Sequence, residues 1–281
     1  MKNLIFPNAV LDSDSGLVHS ETAHRSSLLE VKRLSVERSS KRLLHDLQFQ
    51  VRSGEFVAVI GANGAGKSTL VRAVTGEWDA SGEIRLFGCS LGVWTRKKLA
   101  TRMAVMSQKT HLDFAFTARQ VVEMGRLPHT QFSATHNSKM ALNVLKELAL
   151  TGYADRTLTS LSGAEAQKGH FARAMTQLSG VAESTLLILD EPTAALDLAQ
   201  QKIILDAAAQ SRNTSNAVLA VLHDLNQVAL YADRVLVLKN GKIICDAPTP
   251  QALTASVLSD AYGVEIRVEI MGDGRRIILV A

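Results

Sequence analysis

Short apolar runs alternate with amphipathic stretches along most of this chain, and the two periods predict strands and helices in turn. Positions 28–36 and 44–51 alternate apolar with polar side chains, as half-buried strands do, and 55–60 is a short β-branched apolar run. A glycine-rich turn follows, then a helical pattern over 67–76. Residues 83–87 and 103–106 read as further short strands. From 117 to 153 the pattern is helical, broken by Pro128 and by a polar Ser/Thr/His/Asn stretch near 133–138. Beyond Leu161 come a helix, a strand at 186–189, a helix from Ala199, a strand at 217–222, another helix and a strand at 235–238. Such alternation predicts an α/β fold around a largely parallel sheet. The all-helical middle predicts an inserted lobe, and the chain carries no internal repeat.

Composition narrows the class without altering that picture. With 281 residues, 46% hydrophobic and 21% charged, the chain is neither disordered nor collagen-like. The length suits one large domain, with or without a smaller lobe. Lys and Arg number 31 against 27 Asp and Glu, a net charge of +4 with a pI near 9.1. No Lys/Arg block is interleaved with aromatics, so no nucleic-acid partner is expected. The densest run, Arg96, Lys97 and Lys98, reads as a solvated helix face. Two cysteines, Cys89 and Cys245, are too few for a disulfide framework or a four-cysteine zinc site. A reducing cytosol is expected, with both thiols packed. No apolar run approaches the ~18 residues that span a bilayer. Residues 1–25 lack the charged and apolar regions of a secretory signal and read as a tail. His111, His129, His136 and His170 have no paired metal-ligand spacing and read as surface or loop histidines. Trp78 and Trp94 suit either packing or a partner-facing role.

The candidate chemistry begins after the third strand. Gly61, Ala62, Asn63, Gly64, Ala65, Gly66, Lys67, Ser68 and Thr69 fit G-x-x-x-x-G-K-[ST], placed between a strand and a helix as that pattern requires. Glycines let the backbone wrap a phosphate and aim its N–H groups inward. The helix N-terminus adds partial positive charge. Lys67 would reach the β- and γ-phosphates, and the Ser68 hydroxyl would serve Mg²⁺. A second element is the apolar run 186–189 ending in Asp190 and Glu191. Buried strands end where parallel sheets build active sites, so Asp190 would hold Mg²⁺ and Glu191 would polarise an attacking water.

Together with Leu161, Ser162, Gly163, Ala164 and Glu165, which look like a signature motif, these residues resemble the ATPase subunits of ABC transporters. The family's other elements follow in its order: Gln108 matches the Q-loop glutamine, Ala195, Leu196 and Asp197 the D-loop, and His223 the switch histidine. The resemblance spans roughly 28–245. It implies a P-loop NTPase with a RecA-like core and mainly parallel sheet, N-terminal antiparallel β strands and an inserted α-helical lobe. It divides the chain into a tail (1–27), an ATP-binding core (28–107 and 165–245), a helical lobe with the signature (108–164) and a C-terminal extension (246–281). It further implies catalysis by Glu191, His223 and Gln108. ATP would be held by residues 61–69 and, from the other subunit of a head-to-tail homodimer, by Ser162, Gly163, Ala164 and Asp197. Mg²⁺ would be held by Ser68, Gln108 and Asp190.

Two departures stand out. Ala164 replaces the second glycine usual in the family signature, yet still offers its N–H at negative φ. Where the family stacks adenine on an aromatic, residues 35–40 contain none, and Arg38 is the nearest match; loose base selectivity is expected. The stretches 124–129, 222–226 and 262–267 resemble ATPases of importers for iron chelates, haem and cobalamin. Residues 195–201, with Gln200 where that branch has His, and the long segment 177–184 resemble the haem-importer branch. The resemblance implies a peripheral ATPase on the cytoplasmic face of a bacterial inner membrane. Its partners would be two integral-membrane permease subunits and, indirectly, a periplasmic binding protein. Ferric-siderophore or cobalamin import is the alternative, and a soluble non-transport ABC ATPase a more distant one.

Overall fold

The computed structural model describes residues 26–107, 114–194 and 196–281. Strands β1 (Ser27–Arg38) and β2 (Lys41–Arg52) pair antiparallel, burying Leu29, Val31, Leu34 and Val36 against Leu44, Leu47 and Val51. Every residue of β3 (Phe56–Ile60) is buried, as expected of a strand covered on both faces. Helix α1 (Lys67–Val74) follows, then β4 (Ser81–Leu86) on the free edge of β1, and β5 (Cys89–Ser90). The short helix α2 (Arg96–Ala100) exposes Arg96, Lys97 and Lys98, and leads into β6 (Met103–Met106).

Helices α3 (Ala118–Met124) and α4 (Ala134–Glu147) form the lobe and pack against α5 (Gly163–Leu178). After them come β7 (Leu186–Asp190), α6 (Leu198–Ser211), β8 (Ala217–Val221), α7 (Leu225–Tyr231), β9 (Arg234–Lys239) and β10 (Lys242–Pro248). The six-stranded sheet has the order β10-β9-β3-β8-β7-β6, all parallel except β10. The described chain closes with α8 (Thr249–Ala252), α9 (Ala255–Tyr262) and a hairpin of β11 (Ile266–Ile270) with β12 (Arg276–Val280).

The two-residue strand period divides the core into two layers. Phe56, Ala58 and Ile60 of β3, with Leu187 and Leu189 of β7, face the helical side, where Phe171, Val144 and Leu205 cover them. Val57 and Val59, with Leu186 and Ile188, face α1 and the antiparallel sheet. Each such side chain contributes about 1.5–3 kcal/mol on burial, so the central strands tolerate no change of register. The lobe is clipped to this platform by polar groups. Arg126 donates to the Thr176 and Ser179 carbonyls at 3.0 and 2.8 Å, satisfying the end of α5. The His129 Nε2–H donates to the Gln177 carbonyl at 2.7 Å, and the Gln177 amide donates to the Ala100 and Met103 carbonyls beside β6.

Several expectations about single residues change. Cys89 lies exposed in β5 and is not a packing residue, because a two-residue edge strand has no second layer over it; Cys245 is half-buried against the core. His129 is 2% exposed, a loop histidine buried by its helix-end bond, and His170 is half-buried within α5. His136 is exposed and stacks on Phe132; His111 lies outside the described residues. Both tryptophans pack: Trp94 meets Phe87 edge-on and donates to the Leu86 carbonyl at 3.2 Å, while Trp78 lies under the guanidinium groups of Arg38 and Arg72.

Burial, with Arg173 adding to it, keeps the His170 imidazole neutral and lowers its pKa from 6.5 to about 4. The unfolded chain takes up this proton near pH 6.5, the folded one only near 4, so protonation favours unfolding and stability falls as pH drops through that window. The urea midpoint of the wild-type chain should decline between about pH 6.5 and 4, and that of His170→Gln should decline less. Equal slopes would remove His170 from this account.

Candidate functional site

The carboxyl ends of β3, β8 and β7 lie side by side, and the chain turns out of each into a segment bearing polar side chains. Out of β3 comes the loop from Gly61 to Gly66, and two glycines there are dictated by space. Gly61 has φ +145, and a Cβ on it would overlap the Leu238 carbonyl of β9. Gly66, the left-handed residue before α1 at φ +108, would place a Cβ 2.7 Å from the Leu44 side chain. The outer side of the loop is fastened by later parts of the chain. Gly61 N–H donates to the Tyr262 hydroxyl at 3.2 Å, and Gly241 N–H donates to the Ala65 carbonyl at 2.9 Å. No side chain among the described residues caps α1, whose first N–H groups, from Lys67, Ser68 and Thr69, are therefore open to an anion. Ala62 is half-buried, and Asn63 and Gly64 are exposed at the loop crest.

Lys67 is 6% exposed, and its ammonium donates to the Gly61 and Ala62 carbonyls at 2.8 and 3.1 Å. Burial pulls its pKa below the usual lysine value, while Glu191 and Asp190 push it back up. Asp190, at the end of β7, is 4% exposed, and desolvation raises its pKa against a hydrogen bond from Ser68. That bond, Ser68 Oγ to Asp190 Oδ1 at 3.3 Å, joins α1 to β7. A hydroxyl and a buried carboxylate form the hard oxygen pair that suits Mg²⁺. Among the described residues no three His, Cys, Asp or Glu side chains converge on a metal position. A cation there would take these two oxygens from the described chain and its other ligands from phosphate and water.

Glu191 follows with left-handed backbone at φ +54, and its Oε1 is 2.6 Å from His223 Nε2 beyond β8. Asp224 turns the chain after His223 by accepting the Asn226 and Gln227 N–H groups at the start of α7. Lys67, Ser68, Asp190, Glu191 and His223 thus belong to one site. Gln108 lies outside the described residues.

Ser162, Gly163 and Ala164 stand apart. No hydrogen bond among the described residues joins them to the loop of their own chain. Ser162 caps α5 in a reciprocal box: its Oγ accepts the Glu165 N–H at 3.2 Å, while the Glu165 carboxylate accepts the Ser162 N–H and hydroxyl, both at 2.9 Å. The serine bonds hold Glu165 below the usual carboxylate range. Ser162 and Gly163 are exposed, and Ala164 sits inside α5 with no left-handed strain. Asp197 is likewise exposed, capping α6 by accepting the Gln200 N–H at 2.8 Å.

The structure adds residues that motif reading passed over. Gln167 of α5 donates to the Glu191 and Pro192 carbonyls at 3.2 and 2.9 Å. Thr193 donates to Gln227 at 3.3 Å, Gln227 to Gln201 at 2.6 Å, and Gln201 to the Leu196 carbonyl at 2.9 Å. Glutamines spread over three helices share no spacing that would announce this network. Tyr262 lay within a stretch already singled out by resemblance, but nothing in that stretch pointed to Gly61.

Comparison with known proteins agrees with this geometry. The family model described as ABC transporter matches residues 44–194. The hemin import ATP-binding protein HmuV of Deinococcus radiodurans is 45% identical over 244 residues, 86% of this chain and 93% of that protein. The protein of the same name from Vibrio anguillarum is 38% identical over 85% of this chain and 92% of its own. Among solved structures, a chain of a metal-chelate type ABC transporter in an inward-facing conformation superposes with a TM-score of 0.73 at 28% identity, covering 91% of this chain and 97% of that one. A phosphate-loop site on a parallel sheet, and these relatives over nearly their whole lengths, give one conclusion: the chain belongs to the ABC transporter family, as an ATP-binding, ATP-hydrolysing subunit.

Proposed function

We propose that this subunit powers hemin import across a bacterial inner membrane, working on the cytoplasmic face through a separate permease dimer. The observation that carries the reading is the 45% identity with a hemin import ATP-binding protein over nearly the full length of both chains. A membrane permease is the partner such ATPases serve, and no helix among the described residues is long and apolar enough to cross a membrane itself. A periplasmic binding protein would deliver the cargo. The division into tail, core (28–107 and 165–245), helical lobe (108–164) and C-terminal extension is part of the same reading.

In the mechanism, residues 61–69 cradle the phosphates, with backbone N–H groups at the start of α1 and the Lys67 ammonium opposing their charge. Ser68 and Asp190, with Gln108, would hold Mg²⁺, which when bound neutralises charge developing on the phosphates. Glu191 takes the proton of the attacking water, and His223, at 2.6 Å, keeps that carboxylate oriented. Ser162, Gly163, Ala164 and Asp197 are exposed or half-buried and complete the other subunit's site in a head-to-tail homodimer. ATP closes that pair, product loss reopens it, and the permease follows.

Lys67→Ala should abolish tight ATP binding, because the charge facing the phosphates is gone. Glu191→Gln should bind ATP and accumulate closed pairs while hydrolysis falls by about 10²–10⁴-fold, the range for a lost general base. Matching hydrolysis rates in Glu191→Gln and wild type would overturn that role for Glu191.

Nucleobase choice follows from Arg38. A base stacked on its guanidinium lacks the aromatic platform that contributes about 1–3 kcal/mol elsewhere, so GTP should compete with ATP for the site. Strong preference for ATP in a competition assay would assign the base to another residue.

Cargo is read from the reconstituted transporter with its binding protein. Hemin-loaded binding protein should stimulate ATP hydrolysis. Stimulation by a ferric-siderophore or cobalamin complex and not by hemin would move the transporter to that class while leaving the ATPase reading in place.

A further inference from the structure

We propose that Gln167 is the positioning residue that ties the Glu191 turn to the signature helix of the same subunit. Through it, the half-site a subunit offers its own nucleotide is linked to the half-site it offers its partner's. The inference rests on the head-to-tail reading above.

The argument starts from the turn after β7. Glu191 is held at φ +54, a conformation that an L-residue keeps only when its surroundings impose it. The next residue, Pro192, is buried and has no N–H to offer a neighbour. Both carbonyls of this turn accept from a side chain outside it. Gln167 serves both from a single amide nitrogen, at 3.2 Å to Glu191 and 2.9 Å to Pro192, with the Ala194 N–H adding a 3.3 Å bond to the Glu191 carbonyl. One Nε2 carries two N–H donors, so the side chain is fully committed to this turn.

Gln167 sits five positions after Ser162, little more than one helical turn from the capped end of α5. A helix closed by a reciprocal cap at Ser162 and Glu165 is stiff over so short a span. Displacement of Ser162, as when it engages the other subunit's nucleotide, is thus delivered to the backbone of Glu191 through two hydrogen bonds. Beyond the turn, Thr193 bonds Gln227 of α7, the helix that begins just after His223. The turn is gripped from the signature helix on one side and from the histidine's own segment on the other.

The test compares the full-length wild-type chain with Gln167→Leu, which fills the space without a donor, and Gln167→Lys, which restores one. Nucleotide affinity of dilute subunits is measured with a fluorescent ATP analogue, and hydrolysis is followed across ATP concentrations. Gln167→Leu should bind the analogue normally, lose about tenfold in maximal rate through misplacement of the carboxylate, and turn a sigmoidal ATP dependence hyperbolic. Gln167→Lys should recover part of both. If Gln167→Leu fails to fold, Gln167→Met carries the same comparison. A Gln167→Leu rate curve like that of the wild type overturns the inference, as does a lower rate with sigmoidal shape intact, since the turn would then be held without any link to the signature. Ser162→Arg separates the two levels. Wild-type hydrolysis by Ser162→Arg defeats the head-to-tail reading itself, whereas an inactive Ser162→Arg beside an unaffected Gln167→Leu defeats the link alone.

Discussion

The Lys67 ammonium, 6% exposed and bonded to two carbonyls of its own loop, sets the terms on which its surroundings are built. Neutral carbonyls orient a cation without cancelling its charge, and an uncompensated buried charge is costly. Asp190 and Glu191 supply the opposing charge. For them to arrive there, β7 must end beside β8 and β3, which the parallel register of Leu189 with Ala220 and of Val59 with Val221 secures. The loop must also pass against β9 closely enough that Gly61 admits no side chain. Fold and site are thus joined at one nitrogen.

The layer on the helical side runs without a break from β3 and β7 through Phe171 to Val122, Val144 and Leu148, so the lobe shares the apolar core of the sheet. β3, β7 and β8 are buried along their full length, so their ends hold position. Polar groups add direction to that packing: the Gln177 amide of α5 spans the Ala100 and Met103 carbonyls beside β6. Its own carbonyl accepts the His129 N–H, so one residue ties the loop after α3 to the sheet.

Much of this was readable from residues in order. Two wholly apolar five-residue strands, β3 and β8, and the four apolar residues that open β7 betray themselves by composition, and the loop from Gly61 to Thr69 by spacing, because its backbone geometry needs glycine at set positions. The carboxylates Asp190 and Glu191 follow from standing at the end of a buried strand. The sequence was silent about partners distant along the chain. Gln167 and Glu191 are separated by 24 residues, and Thr193 and Gln227 by 34, with nothing in either residue type to select the other. His129 reads as an ordinary surface or loop histidine, and only the position of the α5 end makes its burial, and that of Arg126 beside it, intelligible. Cys89 misled in the opposite direction, since composition favours a packed thiol and only the shortness of β5 exposes it.

The left-handed backbone at Glu191 has an evolutionary consequence. An L-residue in that conformation costs about 1–3 kcal/mol, and glycine or asparagine would adopt it with less strain. A search for more thermostable variants would therefore tend to find this position, and accepting the gain would remove the carboxylate proposed to carry the chemistry. Selection for durability and selection for turnover pull in opposite directions at a single codon.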